Sequence, residues 1–176
     1  FNIDGFGKKI VEAFWDLKLI KFPQDIFKLD YNEIEKLEGW GKLSVENLKY
    51  SINQKKNISL ERFIFALGIR HIGLENAKIL SKYFRSFSQL QKLSISNNFD
   101  DLLNIDGIGE TQVSSIKSFF SNEINIRVLN ELGSLLNIKN ILVKKNDGVL
   151  KGRSFLVTGK LNGISRAEVK SLIEEN

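Results

Sequence analysis

The sequence contains no cysteine and no methionine, and it has only one histidine and one proline. Without cysteine the chain forms no disulfide, carries no thiolate nucleophile and offers no sulfur ligand to zinc. A single histidine also excludes a cluster of histidine metal ligands within the chain. No apolar run approaches the roughly 18 residues that a membrane-spanning helix needs. These absences remove most metal and thiol chemistry and argue against a membrane protein.

The remaining composition is that of a soluble globular protein with a mild positive charge. The chain has 176 residues, which allows one or two domains. Hydrophobic residues make up 42% and charged residues 27% of it, both ordinary values. The formal net charge is +5, and the sequence pI is about 9.3. This excess suits a polyanionic partner without proving one.

A pattern of apolar residues around a glycine-rich turn occurs four times. The second glycine of the turn recurs at intervals of 34, 32 and 36 residues. The positions one and four residues before it, and four and seven residues after it, are apolar in every copy. A fixed period with every slot retained indicates an internal repeat of helix, turn and helix. The four origins are Gly7, Gly41, Gly73 and Gly109.

The turn itself predicts a site for an anion. Two glycines allow backbone angles that other residues resist, and copies one, two and four have them as Gly5, Gly39 and Gly107. The helix that follows leaves several N–H groups unpaired at its positive end, where phosphate is the usual anion. The third copy has His71 in place of the first glycine, which predicts a weaker cradle and leaves the conformation of that turn open.

Several side chains beside the turns have open roles. Lys8 and Lys9 lie at a helix start, where basic residues oppose the dipole, so an external anion explains them as well as solvation does. Trp40 could stack on a base, but its slot is apolar in all copies, which favours packing between paired hairpins. Arg70 suits phosphate because guanidinium pairs well with it. His71 fits a phosphate or minor-groove contact as well as a plain surface position.

These repeats resemble the helix-hairpin-helix motif in four copies. The resemblance implies that the chain binds the DNA backbone through hairpin N–H groups, without sequence preference. It also implies a DNA-binding set made of the turn residues and their polar neighbours. That set is Gly5, Gly7, Lys8, Gly39, Gly41, Lys42, Arg70, His71, Gly73, Gly107, Gly109 and Thr111.

The sequence pattern changes after the last repeat. A helix near 124–132 is predicted to end at Gly133, because glycine commonly terminates helices. Beyond it we expect a flexible linker and then a strand over 154–158, a loop and a helix over 165–175, too little to bury a core alone. The predicted fold is mainly α, with four tandem helix-hairpin-helix motifs followed by a truncated α/β segment. The predicted division is a DNA-binding domain at 1–136, a linker at 137–149 and an incomplete second domain at 150–176.

The segment from Leu150 to Leu161, followed by Ser165-Arg166, resembles the opening of a BRCT domain. Four hairpins before a BRCT opening resemble the carboxy-terminal part of bacterial NAD-dependent DNA ligases, and this resemblance covers nearly the whole chain. Its most specific strings are Phe65-Ala-Leu-Gly-Ile-Arg-His-Ile-Gly73 and Phe155-Leu-Val-Thr-Gly159. Because the chain lacks an initiator methionine and begins inside the first repeat, we expect a fragment of a longer protein.

The resemblance implies a parent enzyme that seals nicks in replication and repair. Such an enzyme adenylates its own lysine from NAD, transfers AMP to a 5′-phosphate and joins the 3′-hydroxyl with magnesium. Its catalytic lysine and four-cysteine zinc module belong upstream, so we expect no catalytic, cofactor-binding or metal-binding residue here. The implied partners are nicked double-stranded DNA and the upstream domains of the same chain. The implied setting is a monomer in the bacterial cytoplasm, at the nucleoid and not at a membrane.

Two other interpretations stay open from the sequence. Tandem hairpins also suit a different DNA repair or recombination protein, such as a nuclease, although the BRCT-like opening argues against it. A helical repeat array with a BRCT-like segment also suits a non-enzymatic interaction scaffold, which need not bind DNA.

Overall fold

The computed structural model describes residues 1–96, 98–141, 150, 153–157, 169 and 173. The chain divides into two compact units, Phe1–Ile141 and Leu142–Asn176. The first unit is mainly helical, as the repeat pattern predicts. Among the described residues, no helix is both long and apolar enough to cross a membrane.

The first unit holds eight α-helices among its described residues, with two short 3-10 helices and a pair of short strands. The 3-10 helices are Pro23–Lys28 and Asp100–Asn104, and the strands are β1, Asn57–Ser59, and β2, Asn137–Lys139. The α-helices are α1, Lys8–Asp16; α2, Tyr31–Glu35; α3, Lys42–Gln54; α4, Leu60–Ala66; α5, Leu74–Phe84; α6, Phe87–Ser96; α7, Glu110–Phe120; and α8, Glu123–Leu135.

The repeat slots form the core. The residue seven positions after each origin is buried in all four copies, as Phe14, Leu48, Leu80 and Ile116. The slot four positions after the origin is buried in three copies, while Val11 of the first remains 36% exposed. Apolar residues at i and i+3 or i+4 share a helix face, so one periodic pattern both makes and buries these helices. The hydrophobic effect thereby fixes which face of each hairpin is turned outward.

Helix α8 packs against the 3-10 helix Pro23–Lys28, which lies near the start of the unit. Leu129 and Leu132 of α8 are fully buried. Lys28 Nζ donates to Glu131 Oε2 at 2.7 Å, and the Arg127 guanidinium lies 4.8 Å from the ring centre of Phe22. These contacts bring the early 3-10 helix against the last helix, more than 100 positions later in the chain.

The helix boundary predicted at Gly133 is wrong. Helix α8 continues through Gly133 to Leu135. A Cβ built on Gly133 would lie 2.1 Å from Cζ of Phe87, so the glycine makes room for this ring. The Phe87 ring meets that of Phe63 edge-on at 5.5 Å. Close helix packing, and not helix termination, is the reason for this glycine.

The linker predicted over 137–149 does not begin at 137. Residues 137–139 form β2, which pairs in parallel with β1 in the register Asn57–Asn137. Asn137 N–H donates to the Lys56 carbonyl at 2.7 Å, and its side-chain amide donates to Asn57 Oδ1 at 2.8 Å. Strand pairing across 80 positions leaves no local signal in the sequence. Residues 142–149 lie outside the described residues.

The second unit is described at only a few positions. No strand is present at the described residues 153–157, where the sequence predicts one, and Thr158 lies outside the described residues. A strand exists only by pairing with another strand, and pattern alone does not supply the partner. Val169 and Ile173 are helical, in agreement with the helix predicted over 165–175, whose other residues lie outside the description.

Replacement of Gly133 by alanine should destabilise the protein by about 1–3 kcal/mol, because the methyl group must displace the Phe87 ring. In an open helix the same change would stabilise by about 0.5–1 kcal/mol, so the sign of the effect separates the two cases. Urea denaturation measures it, with the neighbouring exposed Ser134→Ala as control, expected within about 0.5 kcal/mol of the parent. A stabilised Gly133→Ala variant would contradict the packing role.

Candidate nucleic-acid interface

Four turns of one geometry precede helices α1, α3, α5 and α7. In each, the N–H of the fourth residue donates to the carbonyl of the first, at 3.0–3.1 Å. This bond closes a four-residue β-turn immediately before a helix. The turns are turn 1, residues 3–6; turn 2, residues 37–40; turn 3, residues 69–72; and turn 4, residues 105–108.

The third residue of every turn has a left-handed backbone. The φ angle there is +73° at Gly5, +81° at Gly39 and +85° at Gly107. His71 takes the same position in turn 3 with φ +62°. The conformation that the sequence left open for turn 3 is therefore that of the three glycine turns. Histidine is among the non-glycine residues that enter this region most readily.

The residue after the left-handed position anchors each turn to the core. Phe6, Ile72 and Ile108 are buried. Trp40 is half-buried, and its ring centre lies 5.3 Å from that of Phe14. This contact joins the second hairpin to the first and supports the packing role for Trp40 over base stacking.

The next residue in each copy is an exposed glycine with an extended backbone, from which the helix begins. Gly7, Gly41 and Gly73 begin α1, α3 and α5, and no side-chain cap is present at any of them in the described structure. The first N–H groups of these helices have no intrahelical partner, apart from the Ile10 N–H of α1, which donates to the Gly7 carbonyl at 3.0 Å. With the positive end of the helix dipole, these groups point to solvent and can receive an anion.

The described contacts group the turns into two pairs. Turn 1 and the start of α3 line one cleft, with Gly5, Trp40 and Ser44 in its walls. Turn 3 and α7 line another groove, where Arg70, His71 and Thr111 come together. A Cβ on Gly107 would lie 2.8 Å from Cδ1 of Ile79 in α5, so turn 4 packs closely on the helix after turn 3.

The lysine and arginine residues near the turns differ in whether they already form an ion pair. Lys8 Nζ lies 3.7 Å from Glu12 Oε1, a loose and exposed pair. None of the ion pairs among the described residues includes Lys42 or Arg70. Lys36, just before turn 2, donates to Glu33 Oε1 at 2.7 Å; this hydrogen bond and the carboxylate charge raise the Lys36 pKa. All twelve predicted DNA-binding residues are exposed.

Sequence reasoning missed two carboxamide side chains at the turns. Asn76 Nδ2 donates to the His71 carbonyl at 3.0 Å. Gln112 Oε1 accepts from the Gly109 N–H at 3.2 Å. Both stand three residues after the glycine that begins the helix, so the repeat alignment itself held the signal.

Comparison with known proteins identifies the motif and the relatives. Residues 62–129, which include turns 3 and 4, match the family described as Helix-hairpin-helix motif. The whole chain is 63% identical over 176 residues to a DNA ligase of Pelagibacter ubique, of which it spans 26%. A DNA ligase of Rickettsia canadensis is 42% identical over 186 residues, which cover 99% of this chain and 27% of that protein. A DNA ligase of Wolbachia pipientis wMel is also 42% identical, over 97% of this chain and 27% of that protein.

The chain thus matches the helix-hairpin-helix motif over residues 62–129. Over its whole length it is a relative of bacterial DNA ligases, and it spans about a quarter of the length of the relatives it matches.

Replacement of His71 by glycine should stabilise the protein by about 0.5–1 kcal/mol. A residue with a side chain is strained by about 1–2 kcal/mol in the left-handed region, and replacement by glycine relieves this strain. Glycine also gives the unfolded chain more conformational freedom, which offsets part of the gain in stability. The Asn76 hydrogen bond survives because it reaches the backbone carbonyl. Urea denaturation measures the difference.

The matched control for His71→Gly is Gly39→Ala, at the same position of turn 2. No atom lies within 4 Å of a Cβ placed there, so only the φ of +81° opposes alanine. We expect a destabilisation of about 1 kcal/mol. If both variants were more stable than the parent, or both less stable, the left-handed backbone at this position would not explain their effects.

Proposed function

We propose that this chain is the part of an NAD-dependent DNA ligase that holds duplex DNA by its backbone. The observation that carries the proposal is the fourfold repetition of one turn, each anchored by an apolar residue and each leading into an exposed helix start. The helix-hairpin-helix match over 62–129 and the ligase relatives support it.

All four turns, and not only the matched pair, have the geometry that this proposed surface requires. Turns 1 and 2 have the same closing hydrogen bond, the same left-handed third residue and the same extended glycine as turns 3 and 4. Backbone N–H groups and helix dipoles attract phosphate oxygens and read no base edges. Binding by these groups is therefore insensitive to the DNA sequence.

The activity of the longer protein is also part of the proposal. Its upstream domains would seal nicks with NAD and magnesium, while this chain keeps the duplex in place. A four-cysteine zinc site does not fit this chain, which has no cysteine. Residues 150–176 are proposed to open a BRCT domain. The proposed setting is the bacterial cytoplasm, with a monomer acting at the nucleoid.

The two alternatives make different predictions. A nuclease or recombination factor with tandem hairpins would bind DNA as well, but the relatives described above carry the name DNA ligase. An interaction scaffold need not bind DNA at all, so a duplex titration of this chain separates it from both DNA-binding interpretations.

The salt dependence of duplex binding tests the proposed mode. Three or four turns in contact, with one or two phosphates each, give about 3–8 contacts, so the slope of log affinity against log salt should be roughly −3 to −7. Two unrelated duplexes of equal length should bind alike. Fluorescence anisotropy over a salt series measures both. A flat salt response, or a strong preference for one duplex, would rule out backbone binding by the turns.

Replacement of Arg70 by alanine should weaken duplex binding about tenfold or more at fixed salt. The side chain is exposed beside turn 3, and a guanidinium–phosphate hydrogen bond is worth on the order of 1.5–3 kcal/mol. The salt slope should become shallower by about 0.9, which is one phosphate contact. Lys92→Ala on α6 removes an equal charge outside the turns and serves as control. Equal losses from both variants would indicate a diffuse charge effect and no contact at turn 3.

The proposed division of labour predicts that this chain alone neither ligates a nicked duplex nor becomes adenylated. Incubation with NAD carrying labelled AMP, and a gel assay of nick closure, test the two steps. Label covalently attached to this chain would show that a catalytic lysine lies within it and would overturn the assignment.

A further inference from the structure

The third residue after the helix-starting glycine differs among the four copies. It is Ile10, Ser44, Asn76 or Gln112 in turns 1 to 4. The two carboxamides act in opposite ways on their own turns. Asn76 donates to a carbonyl of the turn, whereas Gln112 accepts from an N–H at the helix start.

Gln112 places an oxygen where an anion would sit. Its Oε1 accepts from the Gly109 N–H at 3.2 Å and lies 3.4 Å from the position a Cβ of Gly109 would take. At Gly7, Gly41 and Gly73 the corresponding N–H has no hydrogen-bond acceptor among the described residues. A phosphate can thus reach turn 4 fully only after the Gln112 side chain has moved aside.

The charges around turn 4 act in the same direction. Its second residue is Asp106, and Glu110 opens α7. No lysine or arginine occurs from 105 to 112. The acidic side chains repel a phosphate at short range, although solvent screens them in part.

Turn 3 is open and cationic by comparison. Asn76 holds the His71 carbonyl at 3.0 Å and so braces the left-handed residue, while the Gly73 N–H stays free of any described acceptor. Arg70 stands at the position that Asp106 holds in turn 4. Thus turn 3 and turn 4 differ in both hydrogen bonding and charge.

We infer that the Gln112 side chain closes turn 4 to the DNA backbone, so that turn 3 carries the phosphate contact of this hairpin pair. The inference rests on the proposed DNA-binding function and assigns unequal roles to turns of equal geometry. The fourth hairpin then serves chiefly to support the third, through the packing of Gly107 on Ile79.

Two substitutions at equivalent positions test the inference by the direction of their effects. Gln112→Ala frees the Gly109 N–H and should raise duplex affinity two- to tenfold, since one hydrogen bond is worth about 0.5–1.5 kcal/mol. The salt slope should steepen by about 0.9 for the added phosphate contact. Asn76→Ala unbraces turn 3 and should lower affinity by a similar factor.

Gln112→Leu keeps most of the side-chain volume without an acceptor, and it replaces the alanine variant if that one melts near the assay temperature. Circular dichroism at the temperature of the titration confirms that each variant is folded. A folded Gln112→Ala or Gln112→Leu variant that binds as the parent does, or more weakly, would overturn the closing role of Gln112. Absence of duplex binding by the parent chain itself would instead refute the proposed function, so the two failures are distinguishable.

Discussion

The positive φ at the third residue of each turn is the constraint on which the whole unit depends. A four-residue turn of this kind reverses the chain sharply enough for the next apolar residue to re-enter the core. Burial of that residue then fixes the turn against the helices behind it. The helix that follows starts at the surface with its N–H groups outward, because both the turn and the anchor are already fixed.

Magnitudes explain why histidine is tolerated where glycine is the rule. A left-handed histidine is strained by about 1–2 kcal/mol. Burial of Ile72, the next residue, stabilises the fold by about 1.5–3 kcal/mol, and the Asn76 bond to the His71 carbonyl adds about 0.5–1.5 kcal/mol. The anchor and the brace together offset the strain, so turn 3 keeps its shape with a cationic neighbour beside it.

Most of the helical unit and of the candidate site could be predicted from the sequence, because their causes are local and repeat. Apolar spacing around Gly7 and its three equivalents predicted the helices and turns together. The features that escaped prediction depend on residues far apart in the chain. The pairing of β2 with β1 spans 80 positions, and the room that Gly133 leaves for Phe87 is visible only in the packed helices.

The missed site residues escaped for a different reason. Asn76 and Gln112 are each unremarkable polar residues on a helix, and only the direction of a hydrogen bond separates them. A carboxamide can donate or accept at almost the same position, so residue type alone does not decide which it does. Turns that are equal in sequence pattern can therefore differ in what they bind.

The glycines that begin the hairpin helices point to a requirement outside the fold. Their backbones are extended, a conformation open to any residue, and no atom lies within 4 Å of a Cβ placed on Gly7, Gly41 or Gly73. The chain does cap helices elsewhere: Asp30 accepts from an N–H of α2 and Asn122 from one of α8, each at 2.9 Å. Relative to glycine, such caps contribute only a few tenths of a kcal/mol, so a serine or aspartate in place of these glycines would favour the helices slightly. Neither conformation nor space demands glycine there, and helix stability disfavours it. What a missing side chain does provide is close approach of another molecule to the backbone N–H groups, which is the approach that a phosphate needs.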